Sequence, residues 1–102
     1  MADLTIDGVT FETVHVPTEK TNILLVKAAG GFVGCGYFDV NVANRVGDAV
    51  AIVTGVKTIE EVLAAPVVRL SDKAREAGVT EGMSGREAAL LLQRETCGAQ
   101  LR

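Results

Sequence analysis

The chain has 102 residues, of which 48% are hydrophobic and 23% are charged, a composition typical of one globular domain and not of a disordered segment. Its net charge is −3 and its basic residues form no cluster, which excludes a nucleic-acid partner. No apolar run approaches the roughly 20 residues that span a bilayer, and the first residues resemble no export signal, so we expect a cytoplasmic protein without membrane contact.

The N-terminal third predicts strands joined by tight turns. Asp7-Gly8 separates two β-branched runs and is typical of a two-residue hairpin loop. Gly30-Gly31 predicts a second turn, and the apolar run at residues 23–26 predicts a strand covered on both faces. The four strands are expected at residues 4–6, 9–16, 22–29 and 32–38.

The remainder alternates helix signals with two short strands. Capping boxes at residues 58–61 and 84–87, each a hydroxyl residue three positions before a glutamate, begin two helices, and Asp39 and Ser71 are further N-cap candidates. The chain is therefore predicted to be α+β, a single compact domain with a mainly antiparallel sheet of about six strands and three to four short helices weighted toward the C-terminal half. Helices are expected between Asp39 and Gly47, from Thr58 to near Ala65, from Ser71 to Ala77 and from Ser84 to about Cys97, and strands at residues 48–54 and 67–70.

Three motifs follow one another along the chain: GCGYFDV at residues 34–40, GVKTIEEVLAAP at residues 55–66 and GMSGREA at residues 82–88. Together they resemble the YunC-like family of small bacterial and archaeal domains. The resemblance implies one compact α+β domain over residues 1–102, located in the cytoplasm. It implies no activity, because none is established for the family.

Cys35 is the first candidate catalytic residue. Gly34 and Gly36 flank it in the predicted fourth strand, and such glycines indicate a bulge or a close backbone approach. A thiolate there could act as a nucleophile. The alternative is a small buried hydrophobe, because strand alternation places Cys35 on the same face as Val33. His15 is the candidate general base if the sheet brings it to Cys35, and otherwise an exposed residue at a strand end.

Two helix starts near Cys35 are candidate ligand-binding positions. Lys57 and Thr58 stand at a strand-to-helix junction, where backbone N–H groups and a lysine suit an anion. Capping alone also explains Thr58. Asp39 is at the start of the helix that follows Cys35, and Gly36 lies directly after Cys35. Both residues are included in the predicted site.

A third helix start contributes Ser84 and Arg86. Capping explains Ser84, but an arginine in the first turn opposes the helix dipole. Arg86 is therefore predicted to pair with a carboxylate, which could belong to a ligand, to Glu87 or to a neighbouring subunit.

One histidine and two distant cysteines, Cys35 and Cys97, have neither zinc-site spacing nor a disulfide framework. We therefore expect free thiols, no metal and no cofactor.

Two function classes remain. The first is a homo-oligomer, with a dimer favoured, that binds a small and possibly anionic molecule near Cys35 and the helix starts at Thr58 and Ser84. The second is a non-catalytic oligomeric module with a structural or regulatory role, because exposed sheet edges favour assembly. Whether the protein is an enzyme stays open.

Overall fold

The computed structural model describes the backbone of residues 2–100 and the side chains of residues 3–93, so the prediction of a free thiol at Cys97 lies outside the described side chains. Six strands and four helices are found in this part of the chain, which confirms the α+β prediction. The strands are β1 (Ala2–Ile6), β2 (Val9–Pro17), β3 (Asn22–Ala28), β4 (Gly31–Gly34), β5 (Ala49–Ile52) and β6 (Arg69–Leu70). The helices are α1 (Val40–Val46), α2 (Ile59–Ala64), α3 (Asp72–Glu76) and α4 (Gly85–Gln100).

The strands form one sheet in the order β1-β2-β3-β4-β5-β6. Neighbours pair antiparallel except β4 and β5, which are parallel. Parallel neighbours need a crossover connection, and α1 lies in the segment that joins β4 to β5. The sheet is therefore mainly antiparallel with one parallel pair at β4 and β5.

The first hairpin has the predicted turn. Asp7 and Gly8 both have positive φ, 52° and 79°, as a primed two-residue turn requires. The turn sets the register in which Ile6 lies opposite Val9, and Phe11 and Thr13 then point into the core.

The fourth strand is shorter than predicted. It ends at Gly34, and the chain turns so that the Phe38 N–H donates to the Cys35 carbonyl at 3.3 Å. The turn folds the Phe38 ring over Gly34: a Cβ on Gly34 would lie 2.6 Å from Phe38 Cδ2. Tyr37 consequently does not share the buried face of Val33 but is 57% exposed.

Two cores lie on opposite faces of the sheet. The main core contains residues of β1–β5 together with residues of α2, α3 and α4, whereas a smaller core places Ala43 of α1 against Val50 and Ile52 of β5. All four residues of β5 are buried, so this strand is covered on both faces. Within one chain, β3 is covered on one face and not on the two that were predicted, because its buried residues alternate with half-buried or exposed ones.

The predicted helix caps are confirmed. Asp39, Thr58 and Ser71 each accept a backbone N–H in the first turn of their helices, and Gly47 ends α1 with a φ of 89°. The strand predicted at residues 67–70 is reduced to Arg69–Leu70, because the Val67 N–H donates to the Met83 carbonyl instead. Within the described residues, no helix is both long and apolar enough to cross a membrane.

Candidate functional site

The carboxyl ends of β4 and β5 lie side by side in the sheet, and we call this place the switch point because the chain leaves the two strands toward opposite faces. These neighbouring strands are parallel, yet the helices that follow them lie on opposite faces of the sheet. α1 packs on Val50 and Ile52, whereas Val62 of α2 belongs to the main core. Diverging connections leave a crevice between them, and open α/β sheets bind ligands in crevices of this kind.

A cleft of about 260 Å³ occupies this position. One wall comes from the segment after β4, a second from the segment after β5, and a third from the start of β3. The third wall lies here because β3 is antiparallel to β4, so that β3 begins where β4 ends. The lining residues are Thr21, Asn22, Cys35, Gly36, Tyr37, Gly55, Val56 and Lys57.

Lys57 is the cationic side chain of the cleft. Its backbone N–H donates to Glu61 Oε1 at 2.6 Å, and Thr58 Oγ1 accepts the Glu61 N–H at 3.1 Å. This capping box fixes the backbone at the mouth of the cleft while leaving the Lys57 side chain exposed. Among the side chains of residues 3–93, Lys57 has no ion-pair partner.

Three residues that line the same cleft have backbone N–H groups without an acceptor among the described residues. They are Gly36, Tyr37 and Gly55, and all three residues are exposed. Gly55 has a φ of 72°, a left-handed conformation that glycine adopts without strain. Unpaired N–H groups beside a lysine provide donors and a positive charge, which suits an anionic acceptor.

The Cys35 thiol lies at the base of the cleft and is already hydrogen-bonded. The residue is 5% exposed. Its Sγ accepts the Leu24 N–H at 3.4 Å and donates to the Asn22 carbonyl at 3.8 Å. Both contacts come from β3, so the thiol helps to hold the end of β4 against β3.

His15 does not contact Cys35. It lies on β2 opposite Leu24, so β3 separates the two residues, and two strand spacings amount to roughly 10 Å. The imidazole is exposed and its Nε2 lies 2.8 Å from Asn22 Oδ1. Asn22 therefore contacts both predicted catalytic residues, through its side chain and its carbonyl, and a catalytic role for either stays a prediction.

Asp39 belongs to a different surface. Its carboxylate accepts the Asn41 N–H at 2.8 Å, and it lines a second cleft of about 230 Å³ beside α1. Tyr37 lines both clefts. Asp39 thus lines the second cleft, whereas Lys57 lines the switch-point cleft.

Ser84 and Arg86 lie at the other end of α2. Ser84 forms a β-bridge with Pro66, which follows α2, whereas Lys57 precedes α2 by two residues. Six helical residues span about 9 Å. The structure therefore separates Ser84 and Arg86 from the cleft with which the sequence grouped them.

Arg86 also has a partner that the sequence did not indicate. Its Nη2 donates to Asp7 Oδ1 at 2.8 Å, on the turn between β1 and β2. Ser84 Oγ accepts the Glu87 N–H at 3.1 Å, so the capping box is confirmed. The carboxylate that pairs with Arg86 is therefore Asp7, which was not among the three candidates.

Sequence reasoning missed five of the lining residues: Thr21, Asn22, Tyr37, Gly55 and Val56. A polar pair directly before an apolar strand was the available signal for Thr21 and Asn22. That signal acquires meaning only with the antiparallel pairing of β3 and β4, which relates residues 11 to 13 positions apart. Among the described side chains, no three His, Cys, Asp or Glu residues come close enough to hold a metal ion.

Comparisons with known proteins agree with this architecture. The family model of a domain of unknown function, DUF1805, matches residues 34–92. The chain is 34% identical over 98 residues to the uncharacterized protein YunC of Bacillus subtilis (strain 168), which covers 92% of this chain and 97% of that protein. The crystal structure of TA1206, a protein of unknown function from Thermoplasma acidophilum, has a TM-score of 0.85 and 30% identity, with 89% of each chain covered. The family match includes both segments that leave the switch point.

Proposed function

This chain belongs to the DUF1805 family, and from that premise we propose that it binds a small anionic molecule in the switch-point cleft as part of a homo-oligomer. The family membership confirms the resemblance to YunC-like proteins. The site residues are Lys57, for charge, and the backbone donors of Gly36, Tyr37 and Gly55.

The observation that carries this proposal is the pairing of an uncompensated lysine with unpaired backbone donors in one crevice. Backbone donors and a point charge together stabilise anions. The cleft walls also include the exposed Tyr37 ring and the buried Val56 side chain, which give an apolar surface for the remainder of a ligand. A carboxylate or phosphate attached to a small organic body fits this combination.

The Cys35 thiol is a packing and positioning group in this proposal. Its proton already has an acceptor in the Asn22 carbonyl, and its sulfur already accepts the Leu24 N–H. The proposal therefore requires no covalent step. We also propose that the protein is cytoplasmic, where a reducing environment leaves such a thiol free.

The homo-oligomer, with a dimer favoured, is supported by the open sides of the sheet. The outer edge of β1 has no strand partner among residues 2–100, and part of one sheet face lacks a covering helix. Proteins commonly cover such surfaces by assembly.

The role of Lys57 in anion binding is tested by NMR titration of the 15N-labelled protein with inorganic phosphate and with succinate at matched ionic strength. We expect amide shifts confined to residues 35–37 and 55–57, with saturation. Lys57→Ala should weaken binding about tenfold, equivalent to about 1.4 kcal/mol, because it removes the charge and leaves the capping contacts of the backbone intact.

Lys73→Ala is the matched control, since Lys73 is an exposed lysine on α3 outside the cleft. It should leave the affinity unchanged. Shifts scattered over all exposed lysines, or equal affinities for the two variants, would contradict the proposed site.

A further inference from the structure

One face of the sheet carries apolar side chains that neither core includes. The register places Val14 of β2 opposite Leu25 of β3, and Val16 opposite Ile23. All four point away from the main core, because they alternate with the buried Thr13, Leu24 and Val26. Val14, Ile23 and Leu25 are half-buried, and Val16 is 47% exposed.

The apolar surface continues onto α1. The Phe38 ring covers Gly34, which lies opposite Leu25 on β4. Beyond this ring, Val42 and Val46 line the second cleft, and they share one side of α1 because they are four residues apart. Val46 is 65% exposed. We call this surface the outer face; it comprises Val14, Val16, Ile23, Leu25, Val42 and Val46.

The charges around the outer face have both signs. Lys27 and Glu12 lie opposite each other on β3 and β2, with 4.0 Å between Nζ and Oε1. Arg45 on α1 and Asp48 after it are exposed, and neither has an ion-pair partner among the side chains of residues 3–93. A protein surface that binds a nucleic acid or an anionic membrane carries predominantly cationic side chains. A rim that holds unpaired charges of both signs complements its own two-fold copy.

We propose that the outer face binds a second copy of this chain and forms a symmetric homodimer. This inference rests on the homo-oligomer part of the proposed function and specifies its interface. A sheet with a helical layer on one face and exposed valines on the other has an incomplete second layer, and the second copy supplies it. The interface is thus a sheet face with α1, and not an edge strand.

The dimer has a consequence for the switch-point cleft. Tyr37 lines that cleft and also lines the cleft formed by Val42 and Val46. A partner seated on the outer face covers this ring, which is now 57% exposed. The ligand-binding site of one subunit therefore borders the interface.

The mass in solution tests the interface. Light scattering coupled to size exclusion, across a protein concentration series, should give twice the 10.7 kDa mass of the chain. Val46→Glu and Val16→Glu should each raise the dimer dissociation constant about tenfold or more, because each buries a carboxylate in an apolar interface. Both valines are exposed within a subunit, so circular dichroism should show the fold intact.

Val68→Glu is the matched control, because Val68 is 41% exposed and precedes β6 outside the outer face. It should remain dimeric. A dimeric wild type that Val46→Glu and Val16→Glu leave unchanged would overturn the interface and preserve the homo-oligomer. A monomeric wild type at all concentrations would overturn both, while phosphate binding at Lys57 would be unaffected. A monomer that sediments with phosphatidylglycerol vesicles would assign the outer face to a lipid surface instead.

Discussion

The glycines on either side of Cys35 have different surroundings. A Cβ on Gly34 would meet the rings of Phe38 and Phe32 at 2.6 and 3.0 Å, whereas a Cβ on Gly36 would meet only Thr54 Cγ2 at 3.4 Å. The two rings form an edge-to-face pair with centroids 5.1 Å apart, which limits their freedom to move aside. Gly34 therefore serves the packing of the protein itself, and Gly36 is the glycine that leaves space in the cleft.

We predict that alanine substitutions at these two glycines change the free energy of unfolding by different amounts. Gly34→Ala should lower the free energy of unfolding by about 1–3 kcal/mol, the usual cost of overpacking. Gly36→Ala should change it by less than about 1 kcal/mol in either direction, because its φ is not positive and its surroundings are open. Urea denaturation followed by circular dichroism measures both, and an equal loss in the two variants would contradict these assigned roles.

Ser71 joins two elements. Its side chain is fully buried and caps α3 by accepting the Ala74 N–H at 3.4 Å. The same hydroxyl accepts the Val50 N–H at 2.9 Å and donates to the Asp48 carbonyl at 2.8 Å. One oxygen thereby fixes the start of α3 against the start of β5, the strand that is covered on both faces.

Removal of this hydroxyl should cost more than removal of an ordinary cap. Ser71→Ala loses the cap, about 1 kcal/mol, and also leaves the buried Val50 N–H of β5 without its hydroxyl acceptor, at about 1–3 kcal/mol. We expect a total loss of about 2–4 kcal/mol. Thr58→Ala is the comparison, because Thr58 is an exposed cap with a single contact, and it should lose about 1 kcal/mol. Equal unfolding free energies for the two variants would rule out a bridging role for Ser71.

In the whole molecule, the sheet is unevenly covered. β5 has helices on both faces and paired strands on both sides, whereas β1 is an edge strand that pairs only with β2 among the described residues. Opening of β5 therefore requires disruption of both cores, and opening of β1 requires the loss of one ladder. Local stability should fall from β5 toward β1.

Hydrogen exchange measures this gradient. Amides of β5 should exchange at least about a hundredfold more slowly than those of β1, a difference of a few kcal/mol. The gradient should persist in the dimer, because the proposed interface covers the outer face and leaves the edge free. Protection of β1 equal to that of β5 would instead indicate that two sheets join through their edges.

The sequence determined the features that depend on residues three or four positions apart. The Asp7-Gly8 turn, the caps at Asp39, Thr58 and Ser84, and the α+β class are all confirmed, because turn and cap preferences act within one turn of the chain. The resemblance that three short motifs carry is likewise confirmed. Cys35 and Lys57 were predicted as neighbours, and both line one cleft.

Apart from Cys35 and Lys57, only the tertiary structure decided which of these local features meet. Arg86 pairs with a carboxylate 79 positions away, and Ser84 is separated from Thr58 by the length of α2. The switch point exists because α1 and α2 pack on opposite faces of the sheet, and the turn that ends β4 places the Phe38 ring over Gly34. These arrangements arise from burial of apolar surface, which is non-directional and summed over the whole chain, so no local pattern encodes them.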